Sequence, residues 1–262
     1  GRRQQLGRES TRGGEGVAVL DLGTGSGALL LAVVASESPD YPEEGKQVLD
    51  HQIDVDRDGR RLSVPSRLVR GVGVDINDEA LALARSNAAA LLTEEQRPLV
   101  QFLSGSFSEL GRLHQQLQEA DAKSGGGGDY QGFDVILCNP PFLSRSAARG
   151  RVTAEGVQAL VAGRTGFEAY EAVCRSLRAS LDQAPPLLPP RARHAAGGVA
   201  AAGQAPRRPL LLKPHGRLIL QISAAGGAVG RVAAILEAHG FRVEEVLLDA
   251  ARPGTGGGGG VR

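Results

Sequence analysis

At 262 residues and 41% hydrophobic content, the chain can bury one good core, with room for a single catalytic domain and its loops. A formal net charge of +1 gives no global electrostatic pull toward nucleic acid, no apolar run is long enough to span a membrane, and no secretory signal is visible. The two cysteines, Cys138 and Cys174, lack paired or metal-binding spacing and the five histidines are scattered, so no metal is expected.

In chain order, residues 1–16 are polar and locally basic and read as a flexible segment. Val17-Ala18-Val19-Leu20-Asp21-Leu22 then reads as a strand, Gly23-Thr24-Gly25-Ser26-Gly27 as a glycine-rich turn, and residues 27–36 as a buried helix. Strand, glycine turn and helix open a nucleotide-binding α/β unit. Residues 36–67 read as an insertion. A second strand near 70–75 ends in the acid Asp75, and Asn77 or Asp78 can cap a helix over 79–92. An acid in that place holds ribose hydroxyls in such folds.

A third strand is expected near 99–104 and a helix over 107–120, followed by an insertion near 121–131. Residues 133–138 form a fourth apolar strand that runs directly into Asn139-Pro140-Pro141-Phe142. The prolines stiffen the backbone and lack N–H groups, which leaves carbonyls free to accept. The Asn139 side chain adds an acceptor and two donors, and Phe142 adds a flat apolar face. Together they make a slot for a planar group bearing –NH2.

A helix over 166–182, an insertion near 183–209, strands near 216–222 and 241–248, and an intervening helix over 227–239 complete the map. Gly125–Gly128, Pro185–Pro209 and Thr255–Gly260 are low-complexity stretches, read as loops or tails, and residues 251–262 as a flexible tail. Alternating strands and helices predict an α/β fold, a mostly parallel, doubly wound sheet with helices on both faces. Ligands bind such sheets at the carboxyl ends of the strands. The glycine turn, Asp75, the segment after the third strand and the Asn-Pro-Pro-Phe corner all fall on that rim.

Asp-Leu-Gly-Thr-Gly-Ser-Gly at 21–27, Val-Gly-Val-Asp at 72–75 with the helix through Asn87, and residues 133–142 together resemble the class I S-adenosylmethionine-dependent methyltransferases. Residues 159–166, Ala-Leu-Val-Ala-Gly-Arg-Thr-Gly, followed by Phe167-Glu168-Ala169-Tyr170, narrow the resemblance to the HemK/PrmC family, the glutamine methyltransferases of peptide-chain release factors. It spans roughly residues 17–250 and implies a Rossmann-like domain. Gly23, Thr24, Gly25, Ser26 and Gly27 would then line the methionine part of S-adenosylmethionine, Asp75 would take the ribose hydroxyls, and Asp21 would orient the turn from beneath. Asn139 and the Pro140 carbonyl would accept from the substrate –NH2, Pro141 would stiffen the corner, and Phe142, where the family usually has Tyr, would stack on the amide plane.

The chain departs from the family at Ser104-Gly105-Ser106-Phe107, where Gly105 replaces an acid that contacts adenine; this leaves Ser106 and Phe107 as candidates for that contact. Gln221-Ile222-Ser223 stands where the family has Glu-Ile-Gly, and the sequence after Asp249 leaves the closing seventh strand open. The chain has no methionine, so a fragment or processed form is expected. The resemblance implies a release factor as protein substrate, no membrane partner, a monomer, and an intracellular setting in cytoplasm, mitochondrion or plastid. Two alternatives stay open: an adenine-N6 methyltransferase of DNA or rRNA, and an inactive methyltransferase-like scaffold.

Overall fold

The computed structural model describes residues 16–36, 68–123, 130–144, 146, 161–182, 210–222 and 227–247. Nearly all of the expected terminal segments and of the insertions near 36–67 and 183–209 lie outside these residues, as do Ala159, Leu160 and Ser223. The insertion expected from 121 begins later, because Asp121 to Lys123 still belong to a helix.

Five strands form one parallel sheet: β1 (Val17–Leu22), β2 (Leu68–Asp75), β3 (Val100–Ser104), β4 (Phe133–Cys138) and β7 (Leu212–Leu220), in the order β3-β2-β1-β4-β7. A two-stranded parallel ladder, β5 (Leu143–Ser144) with β6 (Val161–Gly163), stands apart. The helices are α1 (Ala28–Ser36), α2 (Asp78–Leu91), α3 (Leu110–Lys123), α4 (Glu168–Asp182) and α5 (Ala228–Ala238). The expected doubly wound α/β architecture is therefore present.

Side-chain alternation along β1 divides the core. Ala18, Leu20 and Leu22 face one cluster with Leu110, Leu113 and Leu117 of α3 and Val173 and Leu177 of α4. Val19 faces the other, with Leu30, Leu31 and Val34 of α1 and Leu81, Ala84 and Ala88 of α2. α2 and α3 bury an apolar stripe at helical spacing, whereas α1 is apolar all round and buries Leu30, Leu31 and Val34; fully burying a leucine contributes about 1.5–3 kcal/mol. Asn77 proves to be the cap of α2, its Oδ1 accepting from Glu79 N–H at 2.9 Å, and Asp78 and Glu79 in the first turn suit the positive end of the helix dipole.

Register aligns the carboxyl ends. Leu22 pairs with Val74 and Cys138, Asp75 with Ser104, and Cys138 with Leu220. The chain runs outward from β1 through β2 to β3, then returns to the other side of β1 at β4. The switch point of the sheet thus lies between β1 and β4, flanked by the glycine turn and the Asn139 corner. At the opposite edge Asp134 holds the sheet's start: its Oδ2 accepts from Ala18 N–H at 2.8 Å and both oxygens accept from Lys213 Nζ at 2.9 Å.

Two expectations need correction. β7 begins at Leu212 rather than near 216, because the strand carries a bulge: Phe133 pairs with Leu212 and Val135 with Arg217. That bulge accommodates Pro214, which cannot donate to a ladder. The strand expected near 241–248 is absent among the described residues, where 241–247 has no strand pairing. Phe241 packs on the α3/α4 cluster, but Val246 and Leu247 are exposed and Arg242 pairs with Glu244 two residues on, so little holds a ladder there.

Candidate active site

The glycine turn is shaped by three left-handed residues, Gly23 (φ 73°), Gly25 (φ 54°) and Gly27 (φ 81°), a conformation that a Cβ strains. Its backbone is tied to β2, since Gly23 N–H and Thr24 N–H both donate to the Val74 carbonyl at 2.8 and 3.0 Å. The Thr24 hydroxyl donates to Asp21 Oδ2 at 2.7 Å. Asp21 is 1% exposed, and its Oδ1 has no hydrogen-bond partner among the described residues. Burial raises the Asp21 pKa, the Thr24 hydroxyl and the Leu30 amide oppose this, and nearby Asp75 adds to the rise. Asp21 thus lies beneath the turn.

Asp75 is half-buried at the end of β2, with Oδ2 accepting from Gly25 N–H and Oδ1 from Asn77 N–H, each at 2.9 Å. A carboxylate offers about four acceptor sites, so two bonds leave capacity for two more donors. Phe107, after β3, stands against the turn: a Cβ on Gly23 would lie 3.1 Å from its Cζ and 3.9 Å from the Asn139 carbonyl oxygen. The turn, Phe107 and the Asn139 corner therefore meet at Gly23. Ser106 has a local duty instead, its hydroxyl lying 3.0 Å from that of Ser108 as it caps a short 3-10 helix. At Gly105 a Cβ would press on Val74 Cγ1 at 3.0 Å.

At the corner, Asn139 is exposed, Pro140 is buried, Pro141 is half-buried and the Phe142 ring is 41% exposed. Its backbone is held from two sides. Cys138 O accepts from Gln221 N–H and Gln221 O accepts from the buried Tyr170 hydroxyl, both at 3.0 Å; burial pushes the Tyr170 pKa up to about 12. On the other side β5 pairs with β6, and Gly166 (φ 91°) lies so close that a Cβ would meet Phe142 O at 2.6 Å.

Glu168 organises this neighbouring loop, accepting from Thr165 N–H (2.8 Å), Gly166 N–H (2.9 Å) and Phe167 N–H (3.1 Å). Burial opposes its charge, but hydrogen bonds from the Thr165 amide and hydroxyl and the Gly166 amide win, lowering its pKa to about 2. Tyr170, Glu168 and Asn87, whose Nδ2 donates to Ser26 O at 2.9 Å, carry no sequence signal for these contacts. A cavity of about 330 Å³ lined by Arg70, Gly71, Val100, Gln101 and Asp121 lies where β2 and β3 begin, at the edge remote from the turn.

These features define an open α/β sheet protein whose glycine turn, acid and Asn-Pro-Pro corner share one rim at the switch point of the sheet. The chain is 28% identical over 178 residues to the release factor glutamine methyltransferase of Pasteurella multocida, covering 67% of this chain and 43% of that protein. It is 30% identical over 153 residues to the release factor glutamine methyltransferase of Aliivibrio fischeri, covering 57% and 37%. The chain is thus similar to HemK/PrmC-type methyltransferases and spans about two fifths of the length of the curated relatives it matches. No family model matches it. Among solved structures, TrmN from Thermus thermophilus aligns at 19% identity and a TM-score of 0.33 over 63% of this chain and 30% of that one, too partial an overlap to bear on the reaction.

Proposed function

We propose that the chain transfers a methyl group from S-adenosylmethionine to the side-chain amide nitrogen (N5) of a glutamine in a peptide-chain release factor. The observation that supports this most is the meeting of the glycine turn, Phe107 and the Asn139 carbonyl at Gly23. The residues fit the cofactor. Asp21 Oδ1 is a buried acceptor beneath the turn without a hydrogen-bond partner among the described residues, Asp75 retains acceptor capacity at the rim, and Phe107 offers an apolar face. Gly23 to Gly27 and Asp21 would hold the methionine part, Asp75 the ribose, and Phe107 the adenine. When bound, the cofactor supplies an electrophilic methyl group on a sulfonium.

The protein's own work is positioning. A glutamine amide nitrogen is a poor nucleophile because its lone pair is shared with the carbonyl. Asn139 Oδ1 and the Pro140 carbonyl accept its two N–H hydrogens and fix the nitrogen facing the turn. As the N–CH3 bond forms and the S–CH3 bond breaks, the nitrogen gains positive charge, which these fixed dipoles favour more than they favoured the neutral amide and which is what lowers a barrier; the sulfur would leave as a neutral thioether, and the surplus N–H proton would pass to solvent beside the exposed Asn139. The prolines keep the acceptors from reorganising, and Phe142 covers the amide plane.

The test is incubation of the chain with labelled methyl donor and release factors, followed by mapping of the modified residue. Label on a glutamine side chain is expected. Label on RNA or DNA with none on protein would replace this reading by the adenine-directed alternative, and no cofactor binding at millimolar concentration would leave an inactive scaffold.

A further inference from the structure

We propose that Asn87 of α2 is a positioning residue for the glycine turn: its carboxamide fixes the Ser26 carbonyl and so sets the shape the turn presents to the cofactor. This rests on the reading of the turn as a cofactor cradle. Ser26 stands between two left-handed glycines, Gly25 and Gly27. Glycine visits both signs of φ with little cost, so the peptide planes around Ser26 have the least intrinsic reason to keep one orientation. The rest of the turn is anchored at Gly23, Thr24 and Gly25 by Val74, Asp21 and Asp75. At Ser26 the anchor comes from 61 residues away, where Asn87 Nδ2 donates to Ser26 O at 2.9 Å. A carbonyl can only accept, so the contacting atom of Asn87 is its amide nitrogen.

The base of this prop is rigid. Ala84 and Ala88, on the same side of α2, are buried, and a Cβ on Gly27 would lie 3.3 Å from Ala84 Cβ. A small residue at 84 lets the helix approach the turn, and Asn87, one helical step on, spans the remaining distance. Without its donor the turn populates other shapes, and apparent affinity falls by the fraction that remains competent.

A side chain that merely satisfied a carbonyl would affect melting alone; a positioning residue affects cofactor affinity in a way that follows its ability to donate. Cofactor binding is measured by calorimetry across pH 4.5–8 for the native chain, Asn87→Leu and Asn87→Asp, with each variant's affinity taken relative to native at the same pH. Leucine fills similar volume without a donor and is expected to weaken binding about fivefold at every pH, the worth of one hydrogen bond. An ionised aspartate repels the Ser26 carbonyl, whereas a protonated one donates to it. Asn87→Asp is therefore expected to bind at least about fivefold more weakly at pH 8 and to regain affinity as pH falls. In turnover, KM for the cofactor rises while kcat holds. Native affinity in Asn87→Leu, or a flat ratio for a folded Asn87→Asp, overturns the proposal; if the aspartate variant does not fold, the leucine variant decides alone. Failure of the native chain to bind is seen in the control and removes the cradle reading, and this proposal with it.

Discussion

Gly73 gives the sharpest link between the core and the rim. It stands opposite Asp21 in the β1–β2 ladder, and a Cβ there would lie 2.6 Å from Phe102 Cδ1 and 2.9 Å from Thr24 Oγ1. Neither neighbour yields easily. Phe102 is 7% exposed and packed in the α1/α2 cluster, and the Thr24 hydroxyl can retreat only by releasing Asp21, whose other oxygen already has no hydrogen-bond partner among the described residues. Overpacking a core costs about 1–3 kcal/mol, and leaving a buried acceptor unmade costs about 1–3 more. Gly73→Ala is therefore expected to destabilise by about 2–6 kcal/mol, a fall of about 4–24 °C in Tm for a domain of this size, and to weaken cofactor binding more than about tenfold by displacing Thr24. Gly71→Ala is the control: on the same face it would meet Leu30 Cδ1 at 3.0 Å and Val100 Cγ1 at 3.3 Å, and neither belongs to the turn. It should lose some stability while keeping cofactor affinity. Thermal unfolding by circular dichroism with calorimetric titration reads both effects. A Gly73→Ala chain that melts and binds like native would refute the idea that the turn's underside is filled to its limit.

Asn139→Ala should leave melting within about 0.5 kcal/mol of native, because the residue is exposed, and cofactor affinity intact, while methyl transfer in a single-turnover assay falls about 10²–10³-fold. Asp21 has its pKa raised by burial, so the stability it contributes is complete below the ordinary carboxylate range and is lost as pH rises through the elevated folded value. Asp21→Asn lacks this dependence, and native Tm minus variant Tm should decline from pH 4 to pH 8; a difference that grows would contradict the direction of the shift. Glu168 behaves oppositely, its contribution present above about 4.3 and lost as pH falls through about 2. Glu168→Gln should cost about 1–2 kcal/mol at pH 7, allowing for solvent screening at the rim, with the gap to native in thermal melts closing toward pH 2.

Elements whose information is local were legible in the sequence. β1 and β4 are short apolar runs closed by a glycine turn and a proline pair, and α2 carries its own cap at Asn77. The rim followed from topology, since strands that alternate with helices must all end on one side. What stayed hidden depends on distant partners. The β5–β6 ladder has two and three residues, too few for any periodicity to show. Phe-Arg-Val-Glu from 241 looks like a strand, yet a strand exists only when a neighbour takes its amides. Pro214 reads as a breaker, and only the pairing of β7 with β4 shows that a bulge absorbs it. Asn87 sits among alanines in a helix, and nothing nearby in the chain says that its amide reaches Ser26.

The carboxylate of Asp75 draws in two backbone hydrogens, one from the glycine turn and one from the entry to α2. Exchange of those two hydrogens with deuterium is therefore governed by a single charge. A ligand that donates to the two acceptor sites left on this carboxylate holds it in place with both amides still bonded, so both are expected to exchange more slowly when the rim is filled, and their signals change in step. In a chain without tryptophan, that pair is an intrinsic gauge of occupancy, needing neither dye nor label.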